Sequence, residues 1–136
     1  MADRPQALRF TLPVQPTAPA MLRRRLRSVD QIEDNLRPDL ELLLSEIVTN
    51  VVQHSGLGAE DSIDVHVRIA PGHVRAEVSD RGRGRPALLP RPVARPADES
   101  GTGYGLYLVD RIANRWGTLR GPGATVWFEL RGLSGS

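Results

Sequence analysis

A glutamate and an asparagine stand four residues apart in an apolar helical stretch, "EIVTNVVQHS", residues 46–55. At helical spacing Glu46 and Asn50 lie one turn apart on one side, and His54 continues the stripe a turn later. A carboxylate beside leucines is partly desolvated and suits a proton acceptor, while the asparagine oxygen suits a hard cation such as Mg²⁺. The same pair also fits the solvated edge of an amphipathic helix, and the helix alone does not decide.

A second motif, "AEVSDRGRG", is a strand that breaks into a DxGxG turn at residues 80–84. Asp80 at the strand end can accept a hydrogen bond from an exocyclic amine. Gly82 and Gly84 leave room for a flat ligand or for phosphates to approach the backbone. The overlapping "GRGRPA" matches a dinucleotide-binding pattern, but the prolines that follow exclude the helix which that pattern requires.

A third motif, "GTGYGLYLVDRI", places Gly101, Gly103 and Gly105 directly at the start of a helix. Glycines at a helix N-terminus expose backbone N–H groups and the positive end of the helix dipole, a combination that holds phosphate without lysine. An ordinary glycine-rich loop end is the alternative interpretation.

The elements that must position these motifs alternate as in an α/β domain. A strand is predicted at 7–14, and a helix follows from a Thr17 cap to about residue 35, with Met21 among its core-facing residues. The second helix carries the Glu46 stripe and buries its other side. The remaining predictions are a helix at about 38–54, a hairpin at 61–70 and 73–80, a helix at 104–117 and a strand at 123–130.

Composition narrows the function. The 136 residues are 40% hydrophobic and 25% charged, which predicts one globular domain, residues 1–136. No apolar run approaches the roughly 20 residues of a membrane span and no signal peptide is evident, so we expect a cytoplasmic protein without membrane contact. A net charge of +2 with scattered arginines and few aromatic residues does not predict direct nucleic-acid binding.

Two residue types are missing from the sequence. Without cysteine there can be no disulfide, thiolate metal site or cysteine nucleophile. Every basic side chain besides histidine is arginine, so neither a P-loop nor a protein-kinase fold, each of which needs a lysine on the phosphates, can be present.

In order, ExxxN, DxGxG and GxGxGL resemble the N, G1 and G2 boxes of the GHKL, or histidine-kinase-like, ATPases of the Bergerat fold. The resemblance extends from about Leu40 to the last strand. It implies an α/β fold, a two-layer sandwich whose mixed, mostly antiparallel sheet carries helices on one face. It also implies that ATP binds between the helices under a mobile lid, residues 85–100.

The same resemblance implies roles for single residues. Glu46 would be the general base, and Asn50 would bind Mg²⁺ on the phosphates of ATP. Asp80 would bond the adenine amino group. The other nucleotide-binding positions that it implies are His54, Gly82, Gly84, Gly101, Gly103, Gly105, Leu106 and Thr125, the last matching a threonine that supports adenine binding. Tyr104 departs from the pattern, since leucine is common there, and the short lid carries arginines and no lysine.

Within that family the chain looks like the small bacterial anti-sigma-factor serine kinases. Those proteins act as dimers, sequester a sigma factor and phosphorylate a serine on an antagonist protein, using ATP and Mg²⁺. The resemblance therefore implies a sigma factor and an antagonist as partners, and a homodimer. Two alternatives stay open, a nucleotide-gated binding module without kinase activity and a domain that keeps the fold without binding nucleotide.

Overall fold

A computed structural model describes residues 6–54, 58, 60–80, 104–120 and 124–132 of the chain. These ranges contain β1 (Gln6–Pro13), α1 (Ala18–Arg27), α2 (Arg37–His54), β2 (Ser62–Ala70), β3 (His73–Ser79), α3 (Tyr104–Ile112), β4 (Arg115–Arg120) and β5 (Ala124–Arg131). The predicted first strand, second helix, hairpin and last strand are confirmed to within a residue or two.

The strands form one sheet in the order β1-β2-β3-β5-β4, and each neighbouring pair in the described ranges is antiparallel. This confirms the predicted α/β fold class with a mostly antiparallel sheet. The side chains alternate between two faces. One face is apolar, and its cross-strand row Phe10, Val65, Val78 and Val126 is buried in the same core as the helices. The opposite face carries mainly polar and charged side chains.

The third helix was predicted too long. It ends at Ile112, and Trp116 and Gly117 belong to β4. Asn114 makes the turn between the two elements, because its N–H donates to the Glu129 carbonyl at 2.9 Å and its side-chain oxygen accepts from the Arg131 N–H at 2.8 Å. The apolar spacing continues across this turn, which explains why the sequence pattern did not reveal it.

The first helix was also predicted too long, since α1 ends at Arg27 rather than near residue 35. The connection that follows is held by Arg37, the first residue of α2. Its guanidinium donates to the carbonyls of Leu26 at 2.8 Å and Val29 at 2.6 Å. A side chain from a later part of the sequence therefore donates to carbonyls that would otherwise accept hydrogen bonds within a continuing helix. Met21, predicted to face the core, is instead 38% exposed.

Replacing Arg37 with methionine should lower the free energy of unfolding by about 2–4 kcal/mol, because two part-buried carbonyls lose a charged donor while the apolar stem is retained. Urea unfolding measures the change. The matched control is Arg27→Met. The Arg27 side chain is 68% exposed and forms one long ion pair, 3.9 Å from Glu41, so this substitution should change the free energy of unfolding by less than about 1 kcal/mol. Equal losses in both variants would contradict the bracing role.

Glu129 is the centre of a charge network on the polar face of the sheet. Its carboxylate is 3.1 Å from Arg75, 3.6 Å from His73 and 3.8 Å from Arg115. Arg75 also lies over the Trp127 ring, 4.3 Å from its centroid. Burial raises the pKa of Glu129, but hydrogen bonds from Arg75 and His73 outweigh it, so the pKa is lowered overall.

His66 lies on the same polar face, in β2. Burial lowers the pKa of its imidazole, and the neighbouring Arg9 and Arg68 lower it further. Arg9 approaches the ring nitrogen Nδ1 at 3.3 Å. Folding therefore favours the neutral imidazole over the charged form.

Stability should fall as the pH is lowered. In both groups the folded-state pKa lies below the unfolded value, so the unfolded chain binds more protons and gains population on acidification. The contribution of His66 to the free energy of unfolding is lost as the pH falls from its ordinary pKa of 6.5 through its lowered pKa in the folded protein. That of Glu129 is lost in the same way as the pH falls from 4.5. Urea unfolding across this range measures both, and His66→Gln and Glu129→Gln should each flatten one step. A protein that becomes more stable on acidification would contradict this.

Candidate functional site

The apolar side of α2 is buried as the sequence predicted, and Glu46 and Asn50 lie at its border. Leu43 and Ile47 are at most 1% exposed, whereas Glu46 and Asn50 are half-buried. The carboxylate and the carboxamide are thus neither in the core nor fully in solvent. This is the environment in which a polar side chain can both be held in place and reach a ligand.

The side of α2 on which this pair lies follows from Glu41. Glu41 stands on the opposite border of the buried side, and its carboxylate is 3.9 Å from Arg27 of α1. Glu46 and Asn50 therefore face away from α1. Since α2 also packs against α3, the pair lies on the side of α2 that is nearer α3.

The direction of α2 relative to β3 is set by Glu33, four residues before the helix. Its carboxylate accepts a hydrogen bond from the backbone N–H of Gly72, in the turn that precedes β3. Gly72 has a φ of 69°, a conformation that glycine adopts without strain. The start of α2 and the start of β3 are thus at the same end of the molecule, and the two elements contact each other. The second half of α2 therefore lies toward the end of β3.

Asp80 directly follows that end of β3 and is 1% exposed. It continues the alternation of Val74, Ala76 and Val78, which are buried on the helix-covered face of the sheet. The structure therefore brings Asp80 to the same side of the sheet, and toward the same end, as Glu46 and Asn50. A buried carboxylate at a strand end is an acceptor that can select a ligand N–H donor.

The N-terminus of α3 contributes the third described part of the predicted site. Gly105 and Leu106 lie in its first turn, where backbone N–H groups have no partner within the helix. Val109 anchors α3 in the core, and Ile112 and the following Ala113 are partly buried against it. The glycine at position 105 thus belongs to an anchored helix that can offer its N-terminal N–H groups to an anion.

Several predicted positions lie outside the described residues: Gly82, Gly84, Gly101, Gly103 and the proposed lid at 85–100. His54 is the last residue of α2, but its side chain is also outside the described part. Within that part, no three acidic or histidine side chains converge into a metal site. Among the described helices, none has the length and apolarity needed to cross a bilayer.

Thr125 is not brought to the Asp80 side of the sheet. It alternates with the buried Val126 and pairs with Ser79, and the two hydroxyl oxygens are 2.8 Å apart on the polar face. A direct contact from Thr125 to a base beside Asp80 would have to pass through the sheet. Ser79 was not predicted as a site residue. Ser79 directly precedes Asp80, and its side chain points to the opposite face of the sheet. This position is the signal that could have identified it.

The fold is shared by a family of ATPase domains. The family model for the histidine kinase-like ATPase domain matches residues 12–130. The chain therefore belongs to the histidine kinase-like ATPase domain family, and this membership implies nucleotide binding. It also confirms the resemblance that the three sequence motifs indicated.

Two solved structures share the fold. The RsbU and RsbW domains of Rv1364c from Mycobacterium tuberculosis align with a TM-score of 0.67 and 23% identity, over 93% of this chain and 32% of that one. The histidine kinase domain of the blue-light activated histidine kinase EL346 from Erythrobacter litoralis aligns with a TM-score of 0.53 and 21% identity, over 88% of this chain and 61% of that one. The chain thus spans less than two thirds of either. No curated protein sequence matches it.

Proposed function

We propose that this chain binds ATP with Mg²⁺ and phosphorylates a serine on an antagonist protein, as a cytoplasmic regulatory kinase of the anti-sigma-factor type. The observation that supports the proposal is that Glu46 and Asn50 lie at the border of the buried side of α2, on the same side of the sheet as the buried Asp80 at the end of β3. The fold-level similarity to a structure with an RsbW domain supports this branch of the family.

The described residues fit a nucleotide. Asp80 is a buried acceptor for the exocyclic amine of adenine, and a base held there would extend from the strand end toward α2. Asn50 would hold Mg²⁺ through its neutral side-chain oxygen, a ligand type that suits this ion. The first turn of α3 offers N–H groups to phosphate oxygens. In the bound state the γ-phosphorus of ATP would be the electrophilic centre, and Mg²⁺ would neutralise charge on the phosphates.

Glu46 would act on the acceptor. Half-buried and one turn from Asn50, its carboxylate can accept the hydrogen bond of a serine hydroxyl and align its oxygen with the γ-phosphorus. The serine O–P bond forms as the bond from the γ-phosphorus to the bridging oxygen breaks. The hydroxyl proton passes to Glu46, and ADP leaves with the bridging oxygen.

Two measurements test the proposal with the purified chain. Calorimetry with ATP and Mg²⁺ should show saturable binding, and incubation with γ-labelled ATP and candidate antagonist proteins of the native organism should yield phosphoserine. Binding without transfer to any antagonist would favour the nucleotide-gated binding module. Absence of both would leave only a domain that keeps the fold, and the proposal would be wrong. Co-purification with a sigma factor, and the mass of the free protein, test the proposed partner and dimer.

A further inference from the structure

The last cross-strand pair of β3 joins Ser79 to Thr125 of β5. Besides the backbone ladder, the two side chains are linked, with 2.8 Å between Ser79 Oγ and Thr125 Oγ1. Both side chains are half-buried on the polar face of the sheet. This hydroxyl pair is therefore the final attachment of β3 to β5 before the chain reaches Asp80.

Asp80 directly follows that attachment. It is the first residue beyond the strand, and its side chain points to the other face, where it is 1% exposed. Because consecutive side chains in a strand point to opposite faces, Ser79 can be held from the polar face without occupying any space on the ligand side. Holding the backbone of Ser79 therefore restrains the residue that carries the carboxylate.

A second hydroxyl on the same face provides a comparison. Thr11 of β1 donates to Asp64 of β2 at 3.3 Å, and Asp64 is the β2 partner of Ser79 in the ladder. Thr11 thus belongs to the same cross-strand row as Thr125 and also makes a side-chain hydrogen bond to the neighbouring strand. It lies in β1, however, and β2 separates it from β3.

We infer that Thr125 is a positioning residue of the nucleotide site, which holds Ser79 from the polar face and thereby aims the Asp80 carboxylate at the adenine amine. This inference rests on the proposed nucleotide-binding function. It specifies how Thr125 would support adenine binding, the role that the family resemblance implied for it. It also assigns a role to Ser79. Its hydroxyl is held by Thr125, and a single peptide unit connects it to Asp80.

Adenine selectivity is the measurement that separates positioning from general structural support. Inosine triphosphate has a carbonyl oxygen in place of the exocyclic amine that Asp80 would bind, so its affinity gains nothing from the aim of that carboxylate. In Thr125→Val, calorimetry should show ATP binding about three- to tenfold weaker, while ITP binding changes less than about twofold. The ATP-to-ITP preference of the wild-type protein should shrink accordingly. Thr125→Ser, which keeps the hydroxyl, should restore the preference.

Thr11→Val is the matched control, because it makes the same chemical change in the same row of the same face, and it should leave the preference unchanged. Ser79→Ala should reproduce the Thr125→Val effect and serves as the second variant if the latter unfolds. In an Asp80→Asn background, Thr125→Val should produce no further loss of preference.

Equal weakening of ATP and ITP in Thr125→Val, or an unchanged ratio, would overturn the inference while leaving the proposed function in place. A wild-type protein that binds neither nucleotide would overturn both. A wild-type protein that binds ATP and ITP equally would overturn the aim of Asp80 at the amine, and with it the role of Thr125, but not nucleotide binding itself.

Discussion

Asp80→Asn should weaken ATP binding about 30- to 100-fold, a loss of roughly 2–3 kcal/mol, with a much smaller effect on ITP. The carboxylate is 1% exposed at the end of β3, so it cannot exchange a lost ligand contact for one with water. The substitution keeps the size of the side chain but replaces one acceptor oxygen with a donor NH₂ group and removes the charge. The amine of adenine would then meet a weaker acceptor or a competing donor.

Glu77→Gln is the control for this variant. Glu77 lies on the same strand as Asp80, but its side chain is on the polar face, 3.3 Å from Arg75. The same acid-to-amide change there should leave the ATP affinity within about twofold, because the Glu77 side chain lies on the opposite face of the sheet from Asp80. If Asp80→Asn binds ATP as the wild-type protein does, the chain does not recognise adenine through this carboxylate.

Glu46→Ala should abolish transfer to the antagonist serine, lowering its rate by about 10²- to 10⁴-fold, while ATP binding changes less than about threefold. The separation is expected because Glu46 would act on the acceptor hydroxyl and its proton, whereas Asp80, Asn50 and the first turn of α3 would hold the nucleotide. Single-turnover transfer of labelled phosphate measures the rate, and calorimetry measures binding. Glu46→Gln should behave similarly, since it retains the shape but not the basic oxygen.

The control is Glu41→Gln, an acid-to-amide change on the same helix at the opposite border of its buried side. Glu41 faces Arg27 of α1, so its replacement should leave transfer unchanged. Transfer by Glu46→Ala at the wild-type rate would show that Glu46 is not the base. Loss of ATP binding together with transfer would assign Glu46 to the nucleotide rather than to the acceptor.

The parts of the site that the sequence predicted correctly are those that depend on neighbouring residues. The position of Glu46 and Asn50 at the border of a buried helix face follows from helical spacing alone, and the structure has them there. The position of Asp80 at a strand end likewise follows from the alternation of "HVRAEVSD", which β3 confirms. Their roles in nucleotide binding and catalysis stay predictions.

The errors have a common physical origin. The helices that were predicted to continue past Arg27 and Ile112 end there because Arg37 and Asn114 supply hydrogen bonds across sequence separations of 11 and 17 residues. Such bonds compete with helix propagation only once distant segments have packed together. The apolar periodicity of neighbouring residues therefore does not predict these hydrogen bonds.

The class of domain could be inferred from the sequence, through the resemblance of three ordered motifs to a known family, because the order and spacing of residues along a chain do not depend on tertiary contacts. The face of the sheet on which each residue lies follows from the tertiary structure alone. The resemblance assigned Thr125 and Asp80 to the same ligand, yet the register between β3 and β5 pairs Thr125 with Ser79 and places the Thr125 and Asp80 side chains on opposite faces. Register is a relation between strands, so a one-residue difference reverses the face, and no single segment of the sequence records it.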